Sequence, residues 1–116
     1  MIILGLDLST SITGATLFDK EGNTLLCESW DTRNKNKFPS LYDKAALIRK
    51  GLADLSVSHN VSAVFIEQSL HTFRSGFSSA QTLSTLSRFN GIVSWLCWEV
   101  FNIQPQMIAA SSARKK

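Results

Sequence analysis

Two carboxylates lie at the ends of apolar segments that have the length of β-strands, where an unpaired charge is costly. Asp7 is near the end of residues 2–8, IILGLDL, and Glu67 ends residues 61–67, VSAVFIE. A carboxylate in such a segment is tolerated when it is paired, hydrogen-bonded or bound to a metal ion. Neighbouring strands would bring these two carboxylates face to face, where they would repel each other. We therefore predict that they bind a hard divalent cation, Mg²⁺ or Mn²⁺.

A simpler structural interpretation of both residues stays open. The side chain of Asp7 could cap the Ser9-Thr10-Ser11 turn that follows it, as aspartate does in many turns. Glu67 could instead pair with a basic residue. This alternative needs two separate explanations, whereas a metal site accounts for both carboxylates at once.

The apolar pattern predicts the elements that must position these carboxylates. Five segments are predicted strands, which cover residues 2–8, 13–18, 24–30, 61–67 and 103–109. The first three are predicted to be adjacent and antiparallel, with a hairpin turn at residues 19–23. Residues 61–67 follow a helix, so this segment is predicted to be a parallel central strand.

Two helices complete the predicted order βββαβαβ. The first begins with a capping box of Ser40 and Asp43 and ends near Asn60. The second follows a capping box of Ser78 and Gln81 and continues to about Phe101.

Ser111 and Ser112 resemble the N-cap of a further helix just before Lys116, so we predict one domain over residues 1–116 that is interrupted before its last element. With 116 residues, 44% apolar and 18% charged, the composition fits a single folded domain. No apolar run approaches a membrane span, and the start lacks the features of a secretory signal, which predicts a cytoplasmic protein without a membrane partner. Cys27 and Cys97 are far apart in apolar segments and are predicted to be reduced core residues.

The motifs, in their order, resemble a known family. Residues 3–9, ILGLDLS, followed by Thr13-Gly14, are similar to the first strand and turn of RuvC-type Holliday junction resolvases, especially bacteriophage-type members, in the ribonuclease H-like superfamily. Ile66-Glu67-Gln68 resembles the second acidic motif of that family. Residues 83–95 resemble the helix that follows it, and residues 105–115 resemble the segment that leads to a basic helix.

The resemblance implies a fold and an activity. The fold is α/β, a mixed five-stranded ribonuclease H-like sheet flanked by helices. The activity is that of a Mg²⁺- or Mn²⁺-dependent endonuclease that hydrolyses phosphodiester bonds of branched DNA by a two-metal mechanism. Asp7 and Glu67 match the first two catalytic metal ligands of the family. Its remaining acidic ligands lie on the last helix, and no Asp or Glu follows Glu99 here, so we expect weak binding of a second metal ion and a chain that is inactive alone.

Further residues are predicted to contact DNA. Aromatic and basic side chains near a metal site can stack on bases and bind phosphates, and the chain ends in a basic tail. The predicted contacts are Ser9, Thr10, His71, Phe73, Arg74, Arg114, Lys115 and Lys116. The alternatives are that Phe73 anchors its loop to the core and that the tail is only solvated.

Two further features concern interaction surfaces. The second helix is apolar on more than one face, with Trp95, Trp98 and Phe101, which predicts a homodimer through this helix. Core packing is the alternative. Residues 33–50 carry six basic residues against one acidic residue, which is typical of a solvated helix face. The basic residues are Arg33, Lys35, Lys37, Lys44, Arg49 and Lys50, and the acidic one is Asp43.

Two other function classes compete with the nuclease. Residues 5–11, GLDLSTS, fit the phosphate-binding turn of actin-like ATPases and sugar kinases, but these proteins need a second large domain with a glycine-rich loop, which is absent from this sequence. A non-catalytic DNA-binding module of the same fold would explain the missing acidic residues. ATP affinity that depends on Asp7 and Thr10 would indicate the first class, and DNA binding without cleavage would indicate the second.

Overall fold

The structure is a computed structural model that describes residues 1–68 and 80–109. Its elements follow the predicted order βββαβαβ. They are β1 (Ile2–Asp7), β2 (Ile12–Asp19), β3 (Thr24–Asp31), α1 (Leu41–Ser58), β4 (Val61–Gln68), α2 (Ala80–Phe101) and β5 (Gln106–Ala109). The last strand starts three residues later than predicted. Asn102, with a φ of 57°, ends α2 in the left-handed conformation, and Pro105 lacks the N–H that a strand pairing requires.

The five strands form one mixed sheet in the order β3-β2-β1-β4-β5. The first three strands are antiparallel neighbours, and β4 and β5 pair in parallel with β1 and with each other. The predicted hairpin turn at residues 19–23 is confirmed. The Asp19 carboxylate accepts hydrogen bonds from the backbone of Glu21 and Asn23, and Gly22 has a φ of 91° that favours glycine. The bonds from Asn23 lower the pKa of Asp19.

The core lies between one face of the sheet and the two helices. Alternate strand residues such as Leu4, Leu6 and Ile66 are fully buried, because successive side chains of a strand point to opposite faces. The helices bury Ile48 and Leu52 of α1 against the same core as the buried residues of α2, which are Phe89, Val93, Leu96 and Cys97. No helix in the described part of the chain is long and apolar enough to cross a membrane.

The start of α1 agrees with the sequence pattern. The Ser40 side chain accepts a hydrogen bond from the backbone N–H of Asp43, and the Asp43 carboxylate accepts one from the backbone N–H of Ser40. At the other end, the N–H of His59 donates to the Leu55 carbonyl. The predicted capping box of α2 depends on Ser78, which lies outside the described residues.

The prediction of two core cysteines is wrong for one of them. Cys97 is buried, and this burial raises the pKa of its thiol to about 12. Cys27 is exposed. It pairs with Thr16, which pairs with Gly5, so these three residues lie in one row on the face of the sheet away from the helices. The apolar composition of β3 did not indicate which of its faces would be covered.

Candidate functional site

Asp7 and Glu67 are register partners on two neighbouring parallel strands, β1 and β4. Both strands run in the same direction, so the two residues lie at the same edge of the sheet. Paired strands lie about 4.8 Å apart and their register partners project from the same face. The metal-site prediction depended on these two strands being neighbours, and the structure meets that condition. The role of the two residues as metal ligands stays a prediction.

The two carboxylates have no counter-charge among the residues that the structure describes. Asp7 is exposed and Glu67 is half-buried. Within residues 1–68 and 80–109, neither side chain forms a hydrogen bond or an ion pair, since the ion pairs join Arg33 to Asp31 and Arg49 to Glu99. The alternative in which Asp7 caps a turn and Glu67 pairs with a basic residue therefore has no support among the described residues.

A glycine provides space beside Asp7. Gly14 of β2 is the register partner of Asp7 on the side opposite to Glu67, and a Cβ at Gly14 would lie 3.7 Å from the Asp7 Cβ. With Ser29 of β3 and Ile108 of β5, these residues form one row across the sheet. Asp7 therefore has a glycine without a side chain on one side and the Glu67 carboxylate on the other. This arrangement leaves Asp7 accessible to a solvated ion or a phosphate.

The donor set suits a hard cation, but two carboxylates do not complete a coordination shell. Mg²⁺ takes six oxygen ligands and usually keeps several waters, so two protein carboxylates with water or substrate phosphate are a common arrangement. In the described part of the chain, no group of three or more potential metal-ligating residues of the His, Cys, Asp or Glu type is present. Asp7 and Glu67 fit one hard divalent cation whose other positions stay open.

The loop between β1 and β2 is held from three sides. Residues 9–11 follow directly after the Asp7 strand and include Ser9 and Thr10. The buried Thr13 hydroxyl donates to the Ser9 carbonyl at 3.0 Å, and the buried Thr32 hydroxyl donates to the Thr10 and Ser11 carbonyls, each at 3.0 Å.

Lys44 of α1 also binds this loop, because its ammonium group donates to the Thr10 carbonyl. The loop thus has its carbonyl groups turned toward the protein and a fixed position relative to Asp7. Sequence reasoning did not assign Thr32 or Lys44 to the site. Thr32 stands in a polar stretch with no distinguishing signal, and Lys44 was part of a basic cluster interpreted as a solvated helix face.

Six of the predicted DNA contacts cannot be placed. They lie outside the described residues and are His71, Phe73, Arg74, Arg114, Lys115 and Lys116. Of the predicted set, Ser9 and Thr10 are the ones that the structure brings beside Asp7.

A second surface lies between α1 and α2, away from the carboxylates. A groove of about 720 Å³ runs between the helices, with Tyr42 and Trp95 at its sides and Arg49 and Arg88 among its lining residues. Trp95 is 57% exposed and Trp98 is 51% exposed. These indoles belong to the helix that was predicted to form a homodimer, and core packing therefore does not account for them.

Comparison with known proteins identifies the fold. No protein-family model matches the sequence, and no curated protein gives a significant match. The structure of T. thermophilus RuvC in complex with Holliday junction substrate is similar, with a TM-score of 0.77 at 11% identity, covering 99% of this chain and 68% of that one. A second Thermus thermophilus RuvC structure gives a TM-score of 0.70 at 14% identity, covering 99% and 66%. The chain thus spans about two thirds of the length of these RuvC chains.

A different class of protein is also similar in structure. An exopolyphosphatase from Cytophaga hutchinsonii gives a TM-score of 0.51 at 14% identity, covering 96% of this chain and 35% of that one. At such identities the likeness concerns the fold alone. The chain has a mixed five-stranded ribonuclease H-like fold, as the sequence predicted.

Proposed function

We propose that this chain carries the acidic site of a divalent-metal-dependent endonuclease that cuts branched DNA, such as a four-way junction. The observation that supports this most directly is the pairing of Asp7 with Glu67 at the ends of neighbouring parallel strands, with no counter-charge among the described residues. The fold shared with RuvC, whose structure was determined with Holliday junction substrate, supports the nuclease class. The protein would act in DNA recombination and repair in the cytoplasm of a bacterial or phage-infected cell.

The chemistry would depend on Mg²⁺ or Mn²⁺ held by Asp7 and Glu67. Such an ion, when bound, supplies a Lewis acid for the phosphate and lowers the pKa of a bound water. Asp7 is exposed and lies next to the bare backbone of Gly14, which leaves room for a phosphate beside its carboxylate. The loop with Ser9 and Thr10 would contact the DNA backbone next to this position.

The remaining DNA contacts that we propose come from the sequence. His71, Phe73 and Arg74 follow β4 closely in the chain, and aromatic and guanidinium groups stack on unpaired bases. The basic residues Arg114, Lys115 and Lys116 would bind backbone phosphates, because phosphate binding by Lys and Arg releases counterions from DNA.

We propose a homodimer through α2. Trp95 and Trp98 are more than half exposed and Trp95 borders the groove between the helices, so a second copy could cover apolar surface that this chain leaves in water. A two-fold dimer would present two Asp7–Glu67 sites, which suits two symmetric incisions in a four-way junction.

The test is metal binding and strand cleavage by Asp7→Asn and Glu67→Gln. Both variants keep the side-chain shape and remove one charge. Mn²⁺ binding, followed by electron paramagnetic resonance, should fall at least tenfold in each, because each removes half of the protein's carboxylate ligands. Any Mn²⁺-dependent cleavage of a labelled four-way junction that the wild type shows should be lost in both variants, while junction binding without metal is retained.

Asp54→Asn is the matched control, because Asp54 is an exposed residue of α1 that forms no ion pair with the described residues. It should behave as the wild type. Mn²⁺ affinity that is equal in Asp7→Asn, Asp54→Asn and the wild type would contradict the proposed metal site.

The two competing function classes predict different results for these variants. The likeness to an exopolyphosphatase favours a phosphate-binding domain of the actin-like type as the second candidate. That candidate predicts binding of ATP or polyphosphate that is lost in Asp7→Asn and weakened in Thr10→Ala. The third candidate is a non-catalytic DNA-binding module of the same fold. A module would bind the junction equally well in the wild type and both carboxylate variants and would cleave in none.

A further inference from the structure

The connection between β3 and α1 carries two lysines that have no counter-charge in the described part of the chain. Three of the six basic residues at 33–50 have a partner. Arg33 pairs with Asp31 at 2.7 Å, Arg49 pairs with Glu99 at 2.9 Å, and Lys44 binds a backbone carbonyl. Lys35 and Lys37 are exposed and form no ion pair with the described residues.

The two lysines are presented by an ordered turn. The side-chain carbonyl of Asn34 accepts hydrogen bonds from the backbone N–H groups of Asn36 at 2.9 Å and Lys37 at 3.2 Å. The backbone carbonyl of Asn34 accepts a further bond from Phe38 at 2.9 Å. These three hydrogen bonds limit the conformations of the turn, so the backbone atoms of both lysines have a fixed position.

This turn lies at the same edge of the sheet as the carboxylates. Strand β3 is antiparallel to β2 and therefore runs in the direction of β1, so it ends at the edge where Asp7 lies. Thr32 then joins the connection to the loop after β1, because its backbone N–H donates to the Ser11 carbonyl at 2.8 Å. The connection and the loop beside Asp7 are thus one hydrogen-bonded unit.

Lys35 and Asp7 lie close enough together to contact the same segment of duplex DNA. Asp7 and Ser29 lie in the same row two strands apart, which is about 10 Å. Lys35 follows Ser29 by six residues, which reach at most about 21 Å. Lys35 therefore lies within roughly 31 Å of Asp7, less than one turn of B-DNA of about 34 Å.

We propose that Lys35 and Lys37 form a second phosphate-binding surface, which holds the backbone of a DNA duplex arm while Asp7 and Glu67 face the strand to be cut. This inference rests on the proposed function, since it names how the same site holds its DNA. The contacts are with phosphates, so they position the duplex and do not read its sequence.

The test compares two charge-matched double variants. Lys35→Ala/Lys37→Ala removes the proposed contacts. Lys20→Ala/Lys50→Ala removes two other exposed lysines that form no ion pair with the described residues. Lys20 lies in the turn between β2 and β3, at the opposite edge of the sheet. Binding of a fluorescent immobile four-way junction is measured by anisotropy in EDTA between 50 and 200 mM KCl.

Each lost phosphate contact should reduce the slope of log K against log salt by about 0.9, hence by about 1.8 for the double variant. Across a fourfold change in salt, the affinity of the wild type should then fall about 12-fold more than that of Lys35→Ala/Lys37→Ala. The control variant should keep the wild-type slope. All four lysines are exposed, so circular dichroism spectra should be unchanged.

Three other results would overturn the inference in distinguishable ways. Wild-type slopes in both double variants would show that Lys35 and Lys37 do not touch phosphate and would leave the nuclease proposal intact. Equal reductions in both would show an effect of net charge alone. A wild-type chain that binds no junction DNA would overturn this inference together with the proposed function.

Discussion

Replacement of Gly51 by alanine should destabilise the protein although alanine is the better helix former. Gly51 lies in α1 against the indole of Trp30, which is only 8% exposed. A Cβ at Gly51 would lie 2.4 Å from both Cε2 and Cζ2 of Trp30 and 2.8 Å from its Nε1. Overpacking of this kind costs up to about 3 kcal/mol, and a rigid buried indole can move little. Helix propensity offsets about 1 kcal/mol, which leaves a net loss of roughly 2 kcal/mol.

The matched control is Gly91→Ala in α2. Apart from its own helix backbone and chain neighbours, a Cβ at Gly91 would meet no atom of the described residues within 4 Å, so this variant should gain up to about 1 kcal/mol from helix propensity alone. The free energy of unfolding is measured by urea denaturation followed by circular dichroism, with midpoint and slope fitted separately. In a Trp30→Phe background, where the indole edge is absent, the cost of Gly51→Ala should largely disappear. A Gly51→Ala variant as stable as Gly91→Ala would refute the packing argument.

Other predictions follow from single contacts. Thr32→Val removes the hydroxyl that holds the loop beside the site. The free energy of unfolding, measured by urea denaturation, should fall by only about 1 kcal/mol, because the two carbonyls that accept from this hydroxyl keep other donors. Thr24→Val, at an exposed position, should cost less. Cys97, with a thiol pKa raised to about 12 by burial, should stay unlabelled by a thiol reagent at pH 8, whereas exposed Cys27 reacts; two rapid equivalents in the native protein would contradict this. Trp95→Ala should convert the proposed dimer to monomer in analytical ultracentrifugation, and a monomeric wild type at high micromolar concentration would exclude that dimer.

The sequence predicted the structure correctly at positions where a residue type has one physical explanation. Asp7 and Glu67 were recognised because a charge in an apolar strand needs an explanation. Ser40 and Asp43 marked the start of α1 because a capping box satisfies two backbone N–H groups at once. The order of elements followed from apolar periodicity and turn residues, and the structure confirms that order.

Sequence reasoning failed where tertiary contacts decide the role of a common residue. Thr32 is a buried hydrogen-bond donor in a stretch that reads as a polar connection. Cys27 is exposed because it lies on the face of β3 away from the helices, and the strand pattern there did not distinguish the two faces. Arg33 has an ion-pair partner because Asp31 lies beside it. Lys35 and Lys37 have no such partner among the described residues, and the sequence pattern did not show this difference.

Packing in the core and the geometry of the site are connected through α1. Trp30 contacts Gly51 of this helix and stands two residues before Thr32, which binds the loop that follows Asp7. The same helix contributes Lys44, whose ammonium group binds the Thr10 carbonyl of that loop. A displacement of α1 by a side chain at Gly51 would therefore shift both supports of the loop together. Thr32 also begins the connection that carries Lys35 and Lys37, so its hydrogen bonds join the proposed phosphate-binding surface to the loop that follows Asp7.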